Sequence, residues 1–182
     1  MIGEPNLKVL LTRDQIADGV GKLAADITRD YCDKEPLLIG VLKGSFVFMA
    51  DLIRRLEFPL EVDFICLSSY GCGTESLGAV SVLMALRTKI EGRDVLVVDD
   101  IIDSGLTTAF LRDYLKKQNA ASVKVCALTD KPSRRKVPVH IDYLGFTVPD
   151  KFLVGYGLDW DEKYRNLPDI CYREAPDVSQ IS

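Results

Sequence analysis

Histidine is nearly missing from this chain: His140 is the only one among 182 residues. It stands in Val137-Pro138-Val139-His140-Ile141, away from every motif described below. Imidazole catalysis and histidine-rich metal sites are therefore poor expectations, and His140 is expected to be structural or exposed. Cysteine occurs five times, as Cys32, Cys66, Cys72, Cys126 and Cys171, and never as C-x-x-C. An odd, scattered set builds neither a disulfide framework nor a zinc knuckle. Three of these cysteines sit in apolar runs, as buried thiols do. Positive charge is not in excess: the net charge is −4. That argues against wholesale binding of nucleic acid or an anionic membrane. No apolar run approaches membrane-spanning length. Met1-Ile2-Gly3-Glu4-Pro5 lacks the basic start and apolar core of a secretion signal, and Ser179-Gln180-Ile181-Ser182 is no lipidation or peroxisomal signal. The expected compartment is the cytoplasm. The pattern G-x-x-x-x-G-K-[ST] is absent, which argues against a P-loop kinase. There are no internal repeats and no low-complexity segment. The length suits one domain, residues 1–182, with a sizeable core.

What is present is organised around Val95-Leu96-Val97-Val98-Asp99-Asp100-Ile101-Ile102-Asp103-Ser104-Gly105-Leu106-Thr107-Thr108. The apolar run reads as a buried strand of a parallel sheet. Two carboxylates end it, and a loop with a third carboxylate, a glycine and hydroxyls follows. Leu111, Tyr114, Leu115 and Gln118 then recur at helical spacing, with Lys116 and Lys117 suited to the negative end of a helix dipole. Ligands of open α/β sheets sit beyond the carboxyl ends of strands. A loop there, feeding a helix, offers amide N–H groups and hydroxyls to a monophosphate.

Other segments repeat the strand-loop-helix order. Thr12 and Gln15 form a capping box, followed by one apolar face of Ile16, Val20, Leu23, Ala24, Ile27 and Tyr31. Leu37–Leu42 reads as a buried strand; Phe46, Met49, Ala50 and Ile53 suggest a helix after it. Between them, Lys43-Gly44-Ser45 is either a surface turn or a diphosphate holder. Leu60–Leu67 reads as a strand through Val62, Phe64 and Cys66, and Ala79–Leu86 as its return. The glycine- and hydroxyl-rich stretch between, from Ser68 to Gly78, is a hairpin loop or a lid. Ala121–Leu128 and Tyr143–Thr147 read as further strands. Lys131, Arg134, Arg135 and Lys136 form a basic loop that is a phosphate patch or simply solvated. Phe152 is core or a ligand platform. By itself, Arg165 reads as a surface ion pair and Asp103 as a helix N-cap.

Taken together, Leu42-Lys43-Gly44, the Val95–Thr108 segment, Lys131 and Val148–Asp159 resemble the type I phosphoribosyltransferases, and within them the hypoxanthine-guanine branch. The resemblance runs from about Ile39 to Arg165. It implies an α/β fold: a twisted, mainly parallel sheet flanked by helices. A small hood from the N- and C-terminal segments would cover the purine, and a mobile lid at about 68–80 would include Ser69 and Tyr70. It implies purine salvage: transfer of the 5-phosphoribosyl group from phosphoribosyl pyrophosphate (PRPP) to hypoxanthine or guanine, giving IMP or GMP and pyrophosphate. A PRPP- or nucleotide-sensing regulator on the same fold is the alternative.

The resemblance also assigns roles. Asp103 would work on the purine proton. Asp99 and Asp100 would hold the ribose hydroxyls and Mg²⁺. Asp103, Ser104, Gly105, Leu106 and Thr107 would form the 5′-phosphate loop. Lys43, Gly44 and Arg165 would bind pyrophosphate, with a cis peptide at Leu42–Lys43. Lys131, Phe152, Leu153 and Asp159 would bind the base, Asp159 also serving a second Mg²⁺. The implied partners are PRPP and a 6-oxopurine, and the implied assembly is a homodimer or homotetramer.

Overall fold

The computed structural model describes residues 7–69 and 80–173. Strand β1 (Leu7–Leu11) leads into helix α1 (Arg13–Tyr31). The Thr12/Gln15 capping box is formed, and the expected face of α1 is buried from Ile16 to Tyr31. Strand β2 (Leu37–Leu42), helix α2 (Phe46–Ile53), strand β3 (Glu61–Ser69) and strand β4 (Val80–Met84) follow. Then come β5 (Asp94–Ile102), α3 (Leu106–Lys117), β6 (Ser122–Asp130), β7 (Tyr143–Thr147), β8 (Leu153–Val154) and β9 (Ile170–Arg173).

Six strands form the main sheet in the order β4-β3-β2-β5-β6-β7. All neighbours are parallel except β4, which returns antiparallel to β3 at the edge. Alternation along each strand divides the core between two faces. Leu38, Leu96, Val98, Cys126 and Leu128 pack with α1 and α2 on one face. Leu37, Ile39, Val95, Val97 and Val125 pack with Leu111 and Leu115 of α3 on the other. The chain leaves β2 for β3 on one side of it and later returns to β5 on the other side. That reversal opens a crevice beyond the carboxyl ends of β2 and β5. A second sheet, β1-β9-β8, joins residues that are far apart in sequence. Among the described residues no helix is long and apolar enough to cross a membrane.

Three local expectations are corrected. Helix α2 buries Phe48, Met49 and Leu52, while Phe46 and Ala50 are exposed. Its sequence, FVFMADLI, is apolar almost all round. Two helical faces were therefore open to the sequence, and the sheet takes the one carrying Phe48 and Leu52. In β3 the fully buried side chain is Ile65, and Val62 is exposed. Strand β5 does not stop at Val98. It runs through both carboxylates, with Asp99 opposite Ala127 and Ile102 opposite Asp130. Backbone pairing with β6 carries polar residues into the sheet here, which apolar patterning does not reveal.

Candidate active site

The crevice is built from loops that meet at close quarters. After β2, the Leu42–Lys43 peptide is cis. Gly44 follows, and a Cβ there would lie 1.9 Å from Oδ2 of Asp100. On its other side Gly44 meets the turn after β8. A Cβ on Gly157 would lie 2.1 Å from the Gly44 carbonyl oxygen. Three segments thus stack with no room for side chains between them: the end of β5, the loop after β2, and the turn at 155–158. That turn is latched to α2 by the Tyr156 hydroxyl, which donates to Asp51 at 2.7 Å.

The phosphate-type loop lies between β5 and α3. Gly105 caps α3 at φ 81 and supplies no side-chain hydrogen bond. A left-handed cap of this kind suits glycine. It leaves the first helical amides facing outward, apart from a long contact of Leu106 N–H with Ser104 Oγ at 3.4 Å. The N-cap role open to Asp103 is not taken. Its carboxylate instead accepts from Nε of Arg134 at 3.3 Å. Arg134 also lies 3.7 Å from Asp150, so it ties Asp103 to the turn that precedes Phe152. Behind the loop, the amides of Lys136 and Val137 both donate to the Ser104 carbonyl. Arg135 pairs with buried Asp130 alongside Gly105.

Lys131 continues β6 and its amide donates to Ile102 at 3.0 Å. Its side chain is only 6% exposed, and its ammonium has no protein partner among the described residues. Phe152 is 58% exposed, which excludes the core role open to it. Leu153 beside it is buried, as is Val154. Arg165 is not a surface ion pair. Its guanidinium is mostly buried, pairs with Asp159 at 2.8 Å and donates to the Gly157 carbonyl at 2.8 Å.

The profile of the phosphoribosyl transferase domain matches residues 7–161. The hypoxanthine-guanine phosphoribosyltransferase of Bacillus subtilis is 50% identical over 163 residues, covering 90% of this chain and 91% of that one. This chain belongs to the hypoxanthine-guanine branch of the phosphoribosyltransferase family. The fold agrees. A solved hypoxanthine-guanine phosphoribosyltransferase from Bacillus anthracis superposes with a TM-score of 0.88 at 47% identity, over 94% of this chain and 100% of that one. A hypoxanthine phosphoribosyltransferase from Staphylococcus aureus gives 0.88 at 42% identity, over 92% and 91%.

In this phosphoribosyltransferase Asp99 and Asp100 are 6% and 9% exposed. Burial pushes both carboxyls above the usual carboxylate range, and the charge of Asp100 pushes Asp99 further. Hydrogen bonds and the Arg165 guanidinium partly offset this at Asp100. Raised carboxyls make the folded chain bind more protons than the unfolded chain. Stability is therefore lost as pH rises from the unfolded pKa through the folded values. Asp99→Asn is expected to flatten that decline and to add about 0.5–2 kcal/mol of stability at pH 8. Urea melts at pH 5 and pH 8 test this; the same pH dependence in both proteins would exclude it.

Two buried, mutually repelling carboxylates beside a cleft suit a hard cation with oxygen ligands. Among the described residues no three His, Cys, Asp or Glu side chains gather as a protein-only metal site. A cation here would need oxygens from another source. Ser69 ends β3 with its backbone opposite Val80; Tyr70 and most of the lid segment lie outside the described residues. His140 is exposed and pairs at 3.5 Å with Asp142. Two residues escaped the sequence reading. Arg134 was only one of several loop cations, and Glu162 had no pattern to mark it. A cavity of about 580 Å³ is lined by Ile16, Phe46, Tyr156, Leu167 and, alone of the expected site residues, Arg165.

Proposed function

We propose that this phosphoribosyltransferase moves the 5-phosphoribosyl group of PRPP to hypoxanthine or guanine, forming IMP or GMP and pyrophosphate. The observation that supports it most is the meeting of Gly44, Asp100 and Gly157 at the switch point of the sheet. It brings the loop expected for pyrophosphate, the acids expected for ribose and the turn expected beside the base into one place.

In this reading the amides of Ser104, Gly105, Leu106 and Thr107 hold the 5′-phosphate, helped by the hydroxyls of Ser104 and Thr107. Asp99 and Asp100 accept from the ribose hydroxyls and would hold Mg²⁺, and Asp159, beside the base, would help to hold a second ion. When bound, magnesium offsets the charge of the leaving pyrophosphate. Lys43, the Gly44 amide and Arg165 receive that group. The ribose carbon becomes electron-poor as pyrophosphate departs, so fixed anionic oxygens beside it stabilise the transition state. Phe152 stacks on the purine and Leu153 presents backbone groups to its edge. Asp103 manages the proton on the imidazole side of the base. Residues 68–80, with Ser69 and Tyr70, are proposed as the lid that excludes water. The small sheet β1-β9-β8 is proposed as the hood, and the assembly as a homodimer or homotetramer.

Lys131 is the specificity element. A lysine ammonium with no protein partner among the described residues is a donor that a 6-oxo group satisfies and the 6-amino group of adenine does not. The test is incubation with PRPP, Mg²⁺ and each of adenine, hypoxanthine, guanine and xanthine, followed by ultraviolet absorbance. Turnover is expected with hypoxanthine and guanine and not with adenine. Equal use of adenine would overturn the role of Lys131, and no turnover with any base would overturn the reading. Phe152→Ala is expected to raise KM for the base about 5- to 100-fold, the worth of one stacking platform, with KM for PRPP within about twofold. Equal loss for both substrates would count against stacking.

A further inference from the structure

Glu162 occupies the two cations that the proposed reaction needs for its leaving group. One oxygen, Oε2, accepts from Lys43 Nζ at 3.0 Å and from Arg165 Nη2 at 3.2 Å. The residue is presented by a turn built for it. Trp160 and Lys163 exchange backbone hydrogen bonds at 3.1 Å, and the Glu162 amide donates to Asp159 at 2.9 Å. Asp161 and Glu162 adopt φ values of 52° and 61°. Neither is glycine, so the turn holds two L-residues in the left-handed region, at a cost that the surrounding bonds must offset.

The two cations differ in how they are held. Arg165 keeps Asp159 and the Gly157 carbonyl whatever Glu162 does. Lys43 has no other protein partner among the described residues. Lys43 and Glu162 are both exposed, so their pair is weak, exchangeable and sensitive to salt. A carboxylate on a Lys–Arg pair is a smaller anion in the place of a larger one. The two cannot share the same donors, and their like charges repel.

We infer that Glu162 is an internal competitor for the pyrophosphate site. It neutralises Lys43 and Arg165 when no ligand is bound, swings aside when the diphosphate of PRPP enters, and returns as pyrophosphate departs. This rests on the reading of Lys43 and Arg165 as pyrophosphate ligands. Its consequence is weaker binding of diphosphate than the cations alone would give, and easier product release.

Calorimetric titration of the full chain with inorganic pyrophosphate and magnesium at low salt tests it. Glu162→Gln is expected to bind pyrophosphate about two- to fivefold more tightly than the wild type, with the gain shrinking at high salt. Asp161→Asn removes a charge from the same turn without a contact to Lys43, and is expected to leave the affinity unchanged. An equal gain in Asp161→Asn would reduce the effect to bulk charge and overturn the inference. So would unchanged or weaker binding in Glu162→Gln while Lys43→Ala weakens it, a result that leaves the pyrophosphate reading standing. If Lys43→Ala also binds like the wild type, the pyrophosphate reading fails and the inference falls with it.

Discussion

Gly44→Ala is expected to lower kcat/KM for PRPP about 100-fold or more. The added methyl would sit 1.9 Å from Asp100 Oδ2 and 2.6 Å from its Cγ, far inside van der Waals contact. Asp100 is short and buried, so it cannot fold away as a surface lysine would. The loop cannot retreat either, because its carbonyl already rests against Gly157. Something must move by about an ångström, and displacement on that scale in a preorganised site costs about two orders of magnitude. The cause is space rather than backbone freedom, since Gly44 is not among the glycines with positive φ. Gly21→Ala serves as control. Its methyl meets only the tip of Arg55, and activity should stay within about twofold of wild type. Steady-state kinetics on both variants decide the matter, and normal turnover by Gly44→Ala would remove this contact from the site.

Asp103→Asn is expected to reduce kcat by about 10²- to 10⁴-fold, the usual worth of a positioned acid–base group. The change is nearly isosteric. The amide oxygen can still accept from Arg134, and the backbone of residues 104–107, which is expected to grip the phosphate, is untouched. What is lost is the capacity to take up and return a proton. PRPP affinity by calorimetry should therefore remain within about twofold while turnover collapses. Loss of PRPP binding in parallel would mean that Asp103 shapes the loop instead of acting on the base. The absence of a capping bond from Asp103 favours the first outcome, because helix α3 begins on Gly105 and does not depend on that carboxylate.

These expectations differ in how much of them could be read from the chain alone. The Val95–Val98 run, the Leu37–Leu42 run and the Thr12/Gln15 box each combine local propensity with a periodicity, and each lies where it was expected. Helix α2 was legible as a helix but not in its rotation, because an octamer apolar at every position but Asp51 has no single best face. The sequence allows two roles each for Phe152 and Arg165. Exposure decides the first and burial the second, and neither is a property of local sequence.

The order of apolar runs, turns and caps was determined by the sequence itself. Those depend on forces between residues a few positions apart, and such forces act the same way wherever the segment lies. The motif residues Lys43, Asp99 to Thr107, Lys131 and Phe152 could likewise be named from their place at strand ends and from family resemblance. Only the tertiary structure decided what faces what. It placed Gly44 between Asp100 and Gly157, left Lys131 without a partner among the described residues, and set Glu162 on Lys43 across 119 positions of sequence. Contacts of that reach come from the switch in strand order and the close packing of loops above it. They depend on distance in space, which sequence separation does not encode.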